Sequence, residues 1–564
     1  MINFSTVSHR TLIFILVFLG FICLMIGNNL VSLTHPDEVF YAQTAQEMIQ
    51  QKIWMTPILF DHPQFEKPIL FYWLLAAGFK LFGATAFVAR FWPALFGLAS
   101  VLVTYWISWM LFHSRRLAFL AGLVLCTSFI HLGLSRAVLT DMAFSFWVIL
   151  ALACFYWSYA PPRHKHLGIV LFFISCALGV LTKGILGILI PLTVIHFFLR
   201  YKKDLAFLNC RAAWGGLLLF LIIAVPWHIL MYRLYGMPFV DEYWYNVHIR
   251  RIFEAEHKSF DTWYFYPGVM AGGMLPWVFF LPPALLIQRK IFADKDHREK
   301  IFFLLFWILG IFIPLQIAHS KLASYILPVF PALAVFIAYY LDRAIGEGKE
   351  TSWRGLQVSG FLSALATLGT SIALFFVAKH YIRYVPDFFP IYLLSAMLVF
   401  CALIIAVSLL RKKIAGMIAG ISGITISLLI TVSFVYHFAE PWVSCKAISE
   451  ALNEVDQSDS TVLANKFYVR AVRFYTERKV AVIDGASKKF FSKHPLPMLN
   501  NDELVKEFLQ TQPVTYGIVR KATLSTLERV AKDGPYQMTT IKQIGDKYLF
   551  KIETPAKISI KNYR

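Results

Sequence analysis

Charge is scarce in this 564-residue chain: Asp, Glu, Lys and Arg make up 15% of it, against about 25% in an ordinary soluble domain. With 58% hydrophobic and 16% aromatic residues, the polar surface cannot cover a string of soluble domains, and lipid becomes the main solvent. Acidic residues are the scarcer sign, 33 against 53 basic, for a formal net charge of +20. Cysteines are few and scattered. Cys23, Cys126, Cys154, Cys176, Cys210 and Cys401 fall within or beside apolar spans, and only Cys445 lies in the C-terminal region. No CxxC, zinc spacing or disulfide framework links them, so they read as small buried hydrophobes. A P-loop, any convincing glycine-rich phosphate loop, internal repeats and low-complexity tracts are all missing. The lack of repeated halves weighs against a secondary transporter.

The basic excess is not a nucleic-acid signature. It clusters at Arg115-Arg116, Arg163 to Lys165, Arg200 to Arg211, Arg289 to Lys300, Arg343 to Arg354 and Arg411 to Lys413. Alternate loops between apolar spans carry these clusters, as cytoplasmic loops do under the positive-inside rule. Apolar spans read at 11–31, 87–112, 117–134, 138–159, 167–181, 184–199, 212–232, 264–287, 301–318, 322–341, 357–378, 389–410 and 414–437. An uncleaved first helix fits 11–31 better than a signal peptide, because the run is long and lacks a small-x-small cleavage pattern. The expected fold class is an all-α polytopic membrane protein of about 13 helices, each close to the length a bilayer needs. With Arg10 inside, the loops 32–86, 135–137, 182–184, 233–263, 319–321 and 379–388 face outward, as does everything after 438.

Within the first outward loop, 38–51 places Val39, Ala42, Ala45 and Ile49 on one helical face and Gln43, Gln46, Glu47 and Gln50 largely opposite. That spacing predicts an amphipathic helix in the interface. Residues 69–82 are too short to span comfortably and are rich in aromatics, so they too are expected on the membrane surface. After 438 charge returns, and short β-like runs alternate with helical ones. This predicts a small α/β domain, dividing the chain into 1–438 and 439–564.

Once topology is set, the distinctive polar residues near apolar spans fall on the outward side. They are Asp37 and Glu38, Glu66 and Lys67, Arg136 and Asp141, Lys183, His248 with Arg250 and Arg251, and Lys321 with Tyr325. Charges at membrane depth are costly and tend to be functional, and a one-sided set points to a shared outward cavity. Lys67, Lys183, Arg250, Arg251 and Lys321 outnumber what carboxylate pairing needs. Convergent Lys and Arg suit a phosphate, which Arg can hold by two oxygens. Plainer roles stand beside these. Asp37 suits a helix N-cap, Glu66 and Lys67 an interfacial ion pair, and Arg136 with Asp141 a pair fastening two helices. Lys183 and Lys321 suit snorkelling at helix ends, and His248 a structural hydrogen bond. His35 and His62 carry no assigned role.

The ordered motifs His35-Pro36-Asp37-Glu38, Phe65-Glu66-Lys67-Pro68, Thr140-Asp141-Met142, Leu181-Thr182-Lys183-Gly184 and Ser320-Lys321-Leu322 with Tyr325-Ile326-Leu327-Pro328 resemble the bacterial lipid A aminoarabinose transferases. These are membrane glycosyltransferases of the GT-C class, distantly related to protein O-mannosyltransferases. The resemblance implies a GT-C fold with a periplasmic C-terminal domain, in the bacterial inner membrane. It implies transfer of a sugar such as 4-amino-4-deoxy-L-arabinose from undecaprenyl phosphate to a lipid A phosphate, with a hydroxyl acceptor on a protein as the alternative. Asp37 and Asp141 are the implied catalytic carboxylates. Lys67, Arg251 and Tyr325 would contact the donor phosphate, and Glu38, Lys183 and Lys321 would line the cavity. Glu66 and His248 would ligate a divalent metal such as zinc, although Asn246 stands where the family's ligating histidine is expected.

Overall fold

The computed structural model describes residues 7–34, 36–160, 164–256, 258–291, 294–347, 350–381, 387–483 and 495–555, leaving His35 of the first motif outside the described residues. The chain divides into two compact units. One comprises residues 1–28, 65–71 and 90–435; the other comprises 29–64, 72–89 and 436–564.

Nine of the described helices are long and apolar enough to cross a membrane, and two bent pairs bring the number to as many as eleven. His9–Met25 and the 17-residue Leu186–Lys202 occupy the two other expected positions. The chain is a multi-pass membrane protein. The helix Ala323–Gly346 forms the centre of the first unit, with 89% of its most apolar window buried in protein, whereas Arg211–Tyr235 has 28% buried and turns most of its apolar surface outward. An apolar exterior of that kind is what lipid contact permits.

Two expected spans are not straight. Residues 117–134 form Arg115–Cys126 and Phe129–Ser135, bent by 63°, and 264–287 form Phe265–Gly273 and Val278–Ile287, bent by 108°. At the first break the Thr127 and Ser128 hydroxyls donate back to Leu123 O (2.7 Å) and Val124 O (2.6 Å), a pattern that bends helices. At the second, Pro276 biases Leu275 away from helical geometry. The two breaks satisfy each other. Phe129 N donates to Leu275 O (2.9 Å), and the Trp277 indole donates to Thr127 Oγ1 (2.8 Å). Thr425 Oγ1 takes up the Thr127 carbonyl (2.7 Å). Backbone groups freed from a helix at membrane depth need such partners.

In the second unit, the helix Asp37–Gln50 forms where the spacing predicts it, with its polar side only partly exposed. Gln43 and Glu47 are buried. Glu47 accepts from Gln43 Nε2 (2.7 Å), Asp61 N (2.9 Å) and Arg473 Nε (3.2 Å), and Arg473 also forks onto both Asp61 carboxylate oxygens at 2.9 Å. Helix Val469–Thr476 of the C-terminal region supplies the partner for Glu47 on that side.

The C-terminal region is an α/β domain. Its strands are β1 (Val462–Ala464), β2 (Val480–Ile483), β3 (Met498–Leu499), β4 (Val514–Arg520), β5 (Gln537–Ile544) and β6 (Lys547–Glu553). They lie in the order β3-β2-β1-β4-β6-β5, parallel across the first four and antiparallel at β4-β6 and β6-β5. Helices Asp502–Leu509 and Lys521–Lys532 cover one face through Val505, Leu509, Leu524, Leu527 and Val530. Lys446–Val455 and Val469–Thr476 pack together as a second helical layer.

Candidate active site

The first unit gathers polar side chains from five separate stretches of sequence. Helices Thr140–Tyr159 and Lys165–Lys183 run as an antiparallel hairpin, so the start of one lies beside the end of the other. Asp141 sits in the first turn and Lys183 in the last, each at the helix end whose dipole favours its charge. Lys183 Nζ meets Asp141 Oδ1 at 2.5 Å, with the two side chains 10% and 8% exposed. The ammonium also lies 4.2 Å from the ring centre of Tyr325 and 5.4 Å from that of Phe144. Lys183 is therefore a buried, paired lysine rather than a snorkelling one. Arg136 instead donates to Cys23 O (3.0 Å), which removes the Arg136–Asp141 pair.

Gly184 ends the second helix with φ +99°, and a Cβ there would stand 2.3 Å from His248 Nε2. Only glycine combines that backbone with that closeness. His248 is the neighbour it admits: Nδ1 lies 2.6 Å from the Tyr243 carbonyl, which can only accept, so Nδ1 carries the proton. Burial, reinforced by the Lys67 and Arg251 charges, pushes the imidazole down to about 4.

Arg251 follows in the short helix Arg250–Phe253. The carbonyls of Arg251 and Ile252 accept from Ser320 N (3.0 Å) and His319 N (3.1 Å), which fastens 319–321 beside it. Arg251 Nη1 reaches Tyr325 Oη at 3.3 Å, and Nη2 reaches Glu256 Oε2 at 3.1 Å. Lys321 is 4% exposed and bonds Asp261 Oδ1 at 2.5 Å, while His319 Nδ1 bonds Oδ2 at 2.6 Å. Those hydrogen bonds hold the Asp261 carboxyl below its usual range. Buried and paired, Lys321 does not snorkel either.

Lys67 completes the cluster. Its loop is fixed by Phe65, whose ring packs on Tyr235 (5.1 Å) and Phe239 (5.4 Å). Burial, then the neighbouring charges of Arg251 and Lys183, bring the Lys67 ammonium down to about 8, against the opposing pull of Glu66 and Asp141. A lysine drawn down by two other cations is a group that a further negative charge would stabilise.

Asp37 and Glu38 belong to the second unit. Asp37 is the first residue of its helix behind Pro36, not the N-cap. Glu38 is buried and accepts from Thr34 N (2.9 Å) and Thr34 Oγ1 (2.8 Å), which closes the helix start.

Among the described residues no three of His, Cys, Asp and Glu converge on a point. The buried Asn246 donates from Nδ2 to Glu242 Oε1 (2.9 Å) and accepts from Arg250 Nη1 (3.1 Å), as part of a helical ladder that continues from Arg250 Nε to Glu254 (2.6 Å). Glu256 and Asp261, the carboxylates that meet Arg251 and Lys321, were not among the sequence candidates. Both are single acids in a polar stretch, with no local pattern to mark them.

A protein-family model described as dolichyl-phosphate-mannose-protein mannosyltransferase matches residues 10–237, a segment that includes Asp37, Glu66, Lys67, Asp141 and Lys183. An undecaprenyl phosphate-alpha-4-amino-4-deoxy-L-arabinose arabinosyl transferase of Edwardsiella ictaluri is 31% identical over 350 residues, 61% of each chain. One of Yersinia enterocolitica is 30% identical over 64% of each. The match thus spans about three fifths of the length of these relatives. The crystal structure of ArnT from Cupriavidus metallidurans bound to undecaprenyl phosphate superimposes with a TM-score of 0.77 at 19% identity, covering 96% of this chain and 98% of that one. Its apo state gives 0.75. The chain has the fold of these ArnT structures, and the resemblance to aminoarabinose transferases extends from the motifs to sequence and fold.

Proposed function

We propose that the chain is a polyprenyl-phosphate-dependent glycosyltransferase. Its donor is 4-amino-4-deoxy-L-arabinose, or a related amino sugar, on undecaprenyl phosphate, and its acceptor is a lipid A phosphate. The reaction takes place at the periplasmic face of the bacterial inner membrane, on which side the C-terminal domain also lies. The observation that carries this reading is the convergence of Lys67, Lys183, Arg251 and Tyr325 at the ends of apolar helices. The names of the relatives and the lipid bound in the ArnT structure support it.

An oxygen of the acceptor phosphate attacks C1 of the sugar as the bond from C1 to the undecaprenyl phosphate oxygen breaks. The electron pair leaves with the lipid phosphate, and direct displacement inverts C1. Lys67 and Arg251 stabilise the charge that develops on the leaving phosphate, and Tyr325 orients the Arg251 fork. Asp141 holds Lys183 in place. A phosphate acceptor is already ionised, so Asp37 serves to orient the reactants or to pair with the sugar's amino group. No step is assigned to a metal.

The family-model match favours a second reading, transfer to a protein hydroxyl, which needs a general base. Mass spectrometry of lipid A with and without the gene separates the two. Loss of an amino-sugar adduct on a phosphate supports the first; unchanged lipid A with altered periplasmic glycoproteins supports the second. Asp37→Asn is expected to abolish transfer to a hydroxyl and only to impair transfer to a phosphate.

A further inference from the structure

Within the second unit, the helix that begins at Asp37 is gripped by the C-terminal α/β domain. Helix Val469–Thr476 buries Val469, Ala471, Val472 and Phe474. Arg470, Arg473 and Glu477 follow at steps of three and four, which sets them on one stripe, and all three meet helix Asp37–Gln50. The Arg470 guanidinium lies 4.7 Å from the ring centre of Phe40, Arg473 Nε donates to Glu47 Oε1 (3.2 Å), and Gln46 Nε2 donates to Glu477 Oε1 (2.7 Å). The approach to the helix is fixed as well. Ser32 N donates to Glu440 Oε2 (2.9 Å) and Tyr475 Oη to Leu33 O (3.4 Å).

Arg473 is the centre of this grip. Its side chain is 11% exposed and that of Glu47 3%. All three guanidinium nitrogens are committed to the protein: Nε to Glu47, Nη2 to both Asp61 carboxylate oxygens (2.9 Å each) and Nη1 to the Glu477 carbonyl (3.2 Å). Glu47 in turn accepts from Gln43 Nε2 and from Asp61 N, which draws the turn after the helix into the same knot. A planar fork serves partners in three directions at once, which the compact ammonium of a lysine cannot match. Spent in this way, the guanidinium is a group for holding rather than for binding. What it holds is a 14-residue helix whose first residue is Asp37, and a helix is stiff enough to carry a fixed position from Phe40, Gln46 and Glu47 to its end.

We propose that Arg473 is a positioning residue for Asp37: the α/β domain uses it to set where the Asp37 carboxylate stands during the reaction. The consequence for turnover rests on the transfer reading and its role for Asp37, whereas the grip on the helix does not. Misplacing a reacting group by about 1 Å can cost about a hundredfold in rate, so a clamp remote from the chemistry can govern it.

The test uses the full-length protein in detergent, with a thermal melt to check each variant. Arg473→Lys keeps the charge and loses the fork. It is expected to lower kcat about tenfold and to leave KM for the polyprenyl donor unchanged, since Lys67 and Arg251 are untouched. In an Asp37→Asn background the same substitution should change kcat by less than about twofold. A kcat loss of equal size in both backgrounds, or a loss confined to KM, overturns the proposal. Amide exchange over residues 37–50, read without substrate, should quicken about tenfold in Arg473→Lys, and unchanged exchange overturns the proposal too. A wild type that transfers no sugar refutes the transfer reading alone, and exchange then decides the grip; it also decides where Asp37→Asn leaves no turnover to compare. Should Arg473→Lys fail to fold, Asp61→Asn, at a half-exposed position, loosens one arm of the fork and is read in the same way.

Discussion

Replacing Lys183 with Met tests how the cationic cluster is held together. The Lys183–Asp141 contact at 2.5 Å is about nine-tenths buried on both sides. At an effective dielectric near 20, unit charges about 4 Å apart attract by about 4 kcal/mol, and removing one member of a buried pair costs about 3–5 kcal/mol. Lys67 also acts on Asp141 and takes over part of the lost charge, so Lys183→Met belongs at the lower end, about 3 kcal/mol. Asp141→Asn leaves Lys183 among Lys67 and Arg251 without their carboxylate and belongs at the upper end, about 5 kcal/mol. The double variant removes both charges at once and should be more stable than either single variant. Thermal unfolding of all four proteins in one detergent measures this cycle. Stability losses that simply add would refute the pair as the organising contact. The double variant separates folding from function as well: it should fold yet still use the lipid donor poorly, because Lys183 is gone.

Arg251→Ala and Lys67→Ala each remove a charged hydrogen-bond donor, worth about 1.5–3 kcal/mol, and should raise KM for the polyprenyl donor about ten- to hundredfold; unchanged donor kinetics in both would remove the phosphate assignment. Gly184→Ala forces a Cβ into φ +99° and against His248, and should cost about 1–3 kcal/mol, read as a lowered melting temperature. Thr127→Val leaves the buried Trp277 indole without its acceptor and should cost about 1–3 kcal/mol, with Thr127→Ser restoring most of it. For Asp456, burial raises the carboxyl, but hydrogen bonds from Ser458 and Arg478 outweigh it and hold it below the ordinary 3.8. Its contribution is therefore present above that value and lost as pH falls through the lower folded one. Acid unfolding of the α/β domain, followed by hydrogen exchange, should be less steep in Asp456→Asn.

What the sequence revealed and what it hid divide along physical lines. Apolar runs of membrane length mark the helices because lipid imposes that length. Charge alternation and costly polar residues marked Lys67, Asp141, Lys183 and Arg251 before any geometry was known. The bends at 127–128 and 274–277 were not legible, since both runs stay apolar through the break and the bonds that permit it join residues some 150 positions apart. The burial of Gln43 and Glu47 was hidden for the same reason: Arg473, the partner of Glu47, lies 426 residues away, and helical spacing alone does not reveal it. Glu256 and Asp261 escaped because an acid becomes a lysine's or arginine's partner through tertiary folding, not through spacing.

The mutual bonding of the two broken spans limits how the membrane unit can move. Sliding one broken helix past the other by a single turn, about 5.4 Å, would pull the Phe129 amide from the Leu275 carbonyl and the Trp277 indole from Thr127, and hydrocarbon offers no replacement for either. The two breaks act as a bolt, so that both spans travel together or not at all. The bolted pair then serves as the stationary reference against which less buried helices such as Arg211–Tyr235 shift.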